Sequence, residues 1–173
     1  MDPSDRDARD LGAGEVDLSE VDFAIAAFRE EGRWSVAVLP ARIAGSAASL
    51  VAALRQFPGE GGTFGFVGVD DEYFVALLQS GSRTRGFISD AIAILDSPWA
   101  EELAELMQID VDDEELEDYI AIGDLSIFAD FGLDADAVEL VCEDEDLFPD
   151  EQVRSIANRL GFGAELRSVL RDR

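Results

Sequence analysis

The sequence predicts an α+β fold: an antiparallel meander sheet in the order ββαβββ with one covering helix, followed by a small C-terminal helical module. Two observations favour this class. Apolar residues alternate with period two, or form short runs between turn residues, in the stretch 21–89. From Ser97 onward the spacing becomes helical, with cap and stop signals in register. We expect four regions: a disordered acidic tail at 1–20, an α+β domain at 21–108, an acidic linker at 109–119, and a helical module at 120–173 packed on the α+β domain.

The first hairpin and the covering helix come from two neighbouring segments. In FAIAAFREEGRWSVAVL, apolar residues alternate on both sides of the turn Glu30-Glu31-Gly32, which is typical of a β-hairpin. In SAASLVAALRQF, Leu50, Leu54 and Phe57 share one helical face. We expect Ser46 to cap this helix and the following Pro-Gly pair to stop it.

Three further strands are predicted at TFGFVGV, YFVALLQ and TRGFIS. The acids Asp70-Asp71-Glu72 separate the first two, and Ser80-Gly81-Ser82 separates the last two, so consecutive antiparallel pairing follows.

Local cap chemistry predicts the later helices. Ser97-Pro98 begins one that places Trp99, Leu103, Leu106 and Met107 on one face. Asp134 is an expected N-cap inside a hydrophobic staple of Leu133 and Val138. Pro149 begins another helix, Gly161 fits its left-handed C′ position, and a short last helix carries Leu166, Val169 and Leu170.

The large negative charge of the chain limits the classes of partner that it can bind. The net charge is −26, and residues 86–153 contain 23 acids and no basic residue. Such a field repels phosphate backbones and attracts basic protein surfaces, so we expect no direct nucleic-acid binding. No apolar run is long enough for a membrane span and the N-terminus does not resemble a signal peptide, so a cytoplasmic protein is expected. An alternative is that the lysine-free, acid-rich composition reflects a GC-rich genome or a high-salt cytoplasm, in a structural protein of unassigned role.

Several catalytic systems are excluded by composition. Histidine is absent, which removes Ser-His-Asp and Cys-His nucleophiles and histidine-bound zinc or iron. The single cysteine, Cys142, is expected to be an inert core residue. The glycines of GEGGTFGFVG lack the spacing of phosphate-binding loops. We therefore assign no catalytic residue, cofactor or metal ligand.

The acids Asp70-Asp71-Glu72 are interpreted as a hairpin turn, because residues adjacent on a strand point to opposite faces. The alternative is a carboxylate-only, metal-dependent enzyme with its site near Asp70 or Asp90.

The stretch DVDDEELED, residues 110–118, is the candidate partner-binding segment. It matches alternate positions of a calcium loop but has Glu115 where glycine is required and Ala121 where the bidentate glutamate belongs. A solvated acidic segment, available to a basic protein surface, is the remaining interpretation. The candidate residues are Asp110, Asp112, Asp113, Glu114, Glu115, Glu117 and Asp118.

Five blocks in order resemble the actinobacterial tRNA adenosine deaminase-associated protein family. They are FAIAAFREEGRWSVAVLP, LVAALRQFPGEGGTFGFVGVDDEYFVALL, FISDAIAILDSP, GDLSIFADFGL and DLFPDEQVRSIANRLGFG. The resemblance runs from about residue 22 to about residue 170. It implies an acidic accessory protein associated with a tRNA adenosine deaminase, and it transfers no catalytic residue or cofactor. The chain lacks the deaminase's own H-x-E and P-C-x-x-C motifs. We expect a non-enzymatic protein whose acidic face binds a basic protein surface, with this deaminase as the candidate partner. The sequence leaves the oligomeric state open.

Overall fold

Six antiparallel strands form one sheet in the computed structural model, which describes residues 20–112 and 114–170. The strand order is β2-β1-β3-β4-β5-β6, which confirms the predicted α+β class. The predicted tail lies outside the described residues except for Glu20. The strands are β1 (Val21–Glu30), β2 (Arg33–Val38), β3 (Thr63–Val69), β4 (Tyr73–Ser80), β5 (Arg83–Ile88) and β6 (Ile122–Gly123).

Helices cover both faces of the sheet. The first face carries the helices Ala47–Leu54 and Pro98–Leu106, and the second carries the helices that follow β6. The α-helices are α1 (Ala41–Ala44), α2 (Ala47–Leu54), α3 (Ala93–Asp96), α4 (Pro98–Leu106), α5 (Ala135–Glu143), α6 (Pro149–Leu160) and α7 (Gly163–Leu170). Within residues 114–170, 3₁₀-helices lie at Leu116–Asp118 and Leu125–Phe131.

The cap chemistry predicted from the sequence is confirmed. Ser46, Ser97 and Asp134 each accept a hydrogen bond from the backbone N–H three residues later. Pro149 is the first residue of α6, and Gly161 ends that helix with φ of 108°. Because each signal acts within one helical turn, sequence alone locates these boundaries well.

Two details of the predicted helices are wrong. The covering helix α2 ends at Leu54 rather than at Phe57, because residues 55–57 form a tighter turn before Pro58. Leu106, predicted to point inward with Trp99, is 40% exposed, because it is the last residue of α4 and lies at the margin of the packed face.

The short strand β6 is an additional element. Ile122 and Gly123 pair with Ile88 and Phe87 at the edge of the sheet. This strand lies within the segment that the sequence assigns to the helical module. The chain therefore passes around the β6 edge on its way from the first helical layer to the second. The division into domains at 109–119 stays a prediction.

Candidate functional site

The candidate segment 110–118, hereafter the acidic loop, connects α4 to the β6 edge of the sheet. Its described carboxylates all face solvent, and Asp113 lies outside the described residues. The exposed acids are Asp110, Asp112, Glu114, Glu115, Glu117 and Asp118.

Two apolar residues determine which way the acidic loop faces. Leu116 is fully buried in the core of the first helical layer, and Val111 packs against the same core. The carboxylate of Asp112 accepts a hydrogen bond of 3.1 Å from the Glu114 N–H, and its backbone carbonyl accepts one of 2.9 Å from Glu115. Because Leu116 is buried and these hydrogen bonds fix the local turn, the acids of the loop lie on the side that faces solvent.

The acidic loop forms no ion pair within the described part of the chain. The two ion pairs among residues 20–112 and 114–170 join Arg85 to Asp124 at 3.5 Å and Arg154 to Asp150 at 3.8 Å. Because residues 86–153 contain no basic side chain, neighbouring sequence offers no compensation. Chemically, such a surface can attract a cationic partner and accept charge-assisted hydrogen bonds from arginine or lysine.

The acids at 70–72 form the hairpin turn predicted for them. Val69 pairs with Tyr73 across the turn, and Asp70 and Asp71 both have positive φ, near 50°. The Asp71 N–H donates to a carboxylate oxygen of Asp22 at 2.6 Å, which fixes the tip against β1. Turn geometry thus accounts for the aspartates at this position.

Asp90 lies in a surface groove of about 440 Å³ that we call the Phe148 groove. Its walls come from the β3–β4 turn, the segment after the acidic loop, and the connection between α5 and α6. The lining acids are Asp71, Glu72, Asp90, Glu143, Asp144 and Glu145. Although these acids share a groove, no three or more Asp, Glu or Cys side chains within 20–112 and 114–170 are placed to hold a metal ion.

The Phe148 groove also contains apolar residues for which the sequence predicted no binding role. Tyr119 and Ile120 contribute one wall, and Phe148 contributes another. A signal for Phe148 was present, because Leu147-Phe148 is an apolar pair inside the acid-rich run EDEDLFPDE. The approach of Tyr119 and Ile120 to it could not be predicted, since it depends on the path around β6.

Cys142 lies beside this groove and is buried, as predicted for a core thiol. Burial, together with smaller effects of the nearby carboxylates of Glu139 and Glu143, raises the pKa of the Cys142 thiol from 9.0 to about 12. Below about pH 8 the thiol is protonated in both the folded and the unfolded chain, so it adds little pH dependence there.

Cys142 should make the protein less stable as pH rises above 9. Ionisation then favours the unfolded chain, and the loss by pH 10 is expected to be about 1–2 kcal/mol from this group. Urea unfolding at pH 8 and pH 10 measures it. Cys142→Ala is the control, since its free energy of unfolding should fall less over the same interval. Equal pH dependence in both proteins would contradict the expectation.

Comparison with known proteins places the chain in a family. The family model described as Rv3753c-like tRNA adenosine deaminase-associated protein matches residues 22–163. The chain belongs to this family. The resemblance noted from the five sequence blocks is thereby confirmed, and it covers both helical layers of the fold.

A relative in the Rv3753c-like family supports the assignment along most of the chain. Protein Rv3753c of Mycobacterium tuberculosis (strain ATCC 25618 / H37Rv) is 35% identical over 150 residues, which cover 86% of this chain and 87% of the relative. No solved structure matches the chain significantly. In the described residues, no helix has both the length and the apolar character that a membrane span requires.

Proposed function

We propose that this protein is a non-enzymatic accessory protein that binds a basic protein surface through its acidic loop, and that the partner is a tRNA adenosine deaminase. The observation that carries the proposal is the exposure of every described acid in the loop, with no ion pair to any described residue. The description of the family as deaminase-associated supports the choice of partner.

Electrostatics indicates how such a complex would form. An extended acidic surface attracts a basic partner at distances up to about 10 Å at moderate ionic strength, so it accelerates the encounter. The same charge repels RNA phosphates, so the protein would contact the deaminase rather than its tRNA substrate. Because Leu116 is buried, it holds the backbone of the acidic loop in place, so the acids are already positioned when the partner binds.

Charge reversal in the acidic loop tests this proposal. Lysine at Asp112, Glu115 and Glu117 should weaken binding to the deaminase of the same organism roughly tenfold or more at low salt, chiefly through slower association. Surface plasmon resonance at low and at physiological ionic strength measures both rates. The difference between the two proteins should shrink as salt increases.

The matched control reverses three exposed acids outside the acidic loop: Glu30, Asp130 and Glu139. This variant has the same net charge as the loop variant, so a purely global charge effect would weaken both equally. Equal losses would reject the acidic loop as the binding site. Failure of the unaltered protein to bind the deaminase at low salt would reject the partner.

A further inference from the structure

The Phe148 groove presents apolar side chains to solvent inside an acidic rim. Phe148 is 60% exposed, Ile120 is 50% exposed and Tyr119 is 44% exposed. Of the seven large hydrophobic side chains that are exposed in the described residues, these three line one groove. Clustered apolar exposure of this kind is typical of interaction sites.

The backbone around Phe148 is held rigidly. The Phe148 N–H donates to a carboxylate oxygen of Glu151 at 3.0 Å, and the Gln152 N–H donates to the Phe148 carbonyl at 2.9 Å. The buried side-chain amide of Gln152 donates to the Val141 carbonyl at 3.0 Å, which ties α6 to α5. A partner would therefore meet a residue whose backbone is already ordered, so little affinity would be lost to ordering that backbone.

The acids around the groove destabilise the free protein, because they lie close together and next to the negative end of a helix dipole. Residues 143–146 are all acidic and lie at the C-terminal end of α5, where the helix dipole favours cations. The last turn of α5 has no basic residue. Arginine or lysine from a partner would offset the repulsion between these acids and the negative end of α5, and it would also form ion pairs with the acids that line the groove.

From these observations we infer that the Phe148 groove binds a cationic segment of a partner protein, with one apolar side chain of that segment against Phe148 and arginine or lysine on either side of it. The groove volume of about 440 Å³ leaves room for one large side chain and the chain segment that carries it. A second copy of this chain is a poor occupant, because each copy carries a net charge of −26. The inference deepens the proposed function, on which the choice of a protein partner rests.

Two synthetic peptides separate the apolar contact from the charge contact. Both are arginine-rich, one with a central tryptophan and the other with serine in its place. Isothermal titration calorimetry with the full chain should show the tryptophan peptide binding about tenfold more tightly, which is the effect expected of one well-placed aromatic anchor. This ratio should persist at high salt, while the affinity of both peptides falls.

Variants then locate the apolar contact. Phe148→Ser and Ile120→Ser should each reduce the preference for the tryptophan peptide to near one, with binding of the serine peptide unchanged. Leu140→Ser is the matched control, because Leu140 is 66% exposed on α5 but does not line the groove. It should keep the full preference. Thermal unfolding of each variant verifies that the fold is intact.

The outcomes distinguish this inference from the proposed function. Equal binding of the two peptides, or a preference that survives Phe148→Ser, overturns the inference. So does self-association of the protein in sedimentation velocity that Phe148→Ser abolishes, because the groove would then bind a second copy. If the deaminase fails to bind while the peptide preference depends on Phe148, the proposed partner is rejected and the groove assignment stands. If the acidic-loop variant loses deaminase binding and Phe148→Ser has no effect on either ligand, only the proposed function stands.

Discussion

Phe66→Ala is expected to lower the free energy of unfolding by about 3–5 kcal/mol, the usual loss for a buried phenylalanine. Phe66 is fully buried on β3 and faces the second helical layer. Its ring stacks on that of Phe128, with the two centroids 5.9 Å apart and an interplanar angle of 8°. The centroid of the Phe162 ring lies 6.1 Å from that of Phe66. Truncation thus removes ring contacts to the 3₁₀-helix Leu125–Phe131 and to the connection between α6 and α7, and it leaves a cavity between the sheet and this layer.

The measurement is urea unfolding followed by both tryptophan fluorescence and far-ultraviolet circular dichroism. Because Phe66 connects the sheet to the helices after β6, we expect one transition seen equally by both signals. Phe148→Ala is the control, since the same substitution at an exposed position should change stability by less than about 0.5 kcal/mol. Two separate transitions, with only one displaced by Phe66→Ala, would show that the helical segment unfolds independently of the sheet.

The elements that sequence locates best are those whose determinants are local. Ser97 and Asp134 each bond a backbone N–H three residues away, so their effect is complete within a single turn of helix. The same is true of Gly161, where a left-handed conformation is needed and glycine carries no steric cost. Hairpin turns such as Asp70-Asp71 also follow local rules.

Features that depend on distant residues were harder to predict. The strand β6 contains two residues, and it exists only because Ile88 and Phe87 present a free edge to them. No period can be detected in so short a segment. The coverage of both sheet faces, by contrast, is indicated by the sequence of β3. All seven residues of Thr63–Val69 are buried, and their run of apolar residues and glycines lacks the polar alternation of a strand with one wet face.

The candidate site divides in the same way. Exposure of the acidic loop was predictable, since so many adjacent carboxylates cannot be buried without partners. The Phe148 groove was not, because its walls come from parts of the chain that are far apart in sequence: the β3–β4 turn, Tyr119 and Ile120, and the α5–α6 connection. Only the fold brings the apolar and acidic parts of this surface together.

Trp99→Ala and Trp99→Phe test the opposite layer, which anchors the acidic loop. Trp99 is fully buried, and its indole N–H donates to the Ala44 carbonyl at 2.9 Å. That carbonyl ends α1 and has no partner within its own helix. The tryptophan therefore connects α4 to α1 by both packing and a hydrogen bond, and Leu116 of the acidic loop lies in the same core.

Trp99→Ala should reduce the free energy of unfolding by about 3–5 kcal/mol, since it leaves a large cavity. Trp99→Phe keeps an aromatic ring but removes the donor, so it should cost about 1–3 kcal/mol for the unsatisfied carbonyl together with the smaller ring. Chemical denaturation of both variants separates the two contributions. If Trp99→Phe unfolded at the same urea concentration as the unaltered protein, the bond to Ala44 would have no net effect on stability. A neutral Trp99→Ala would contradict the packing described for this layer, and with it the anchoring of the acidic loop through Leu116.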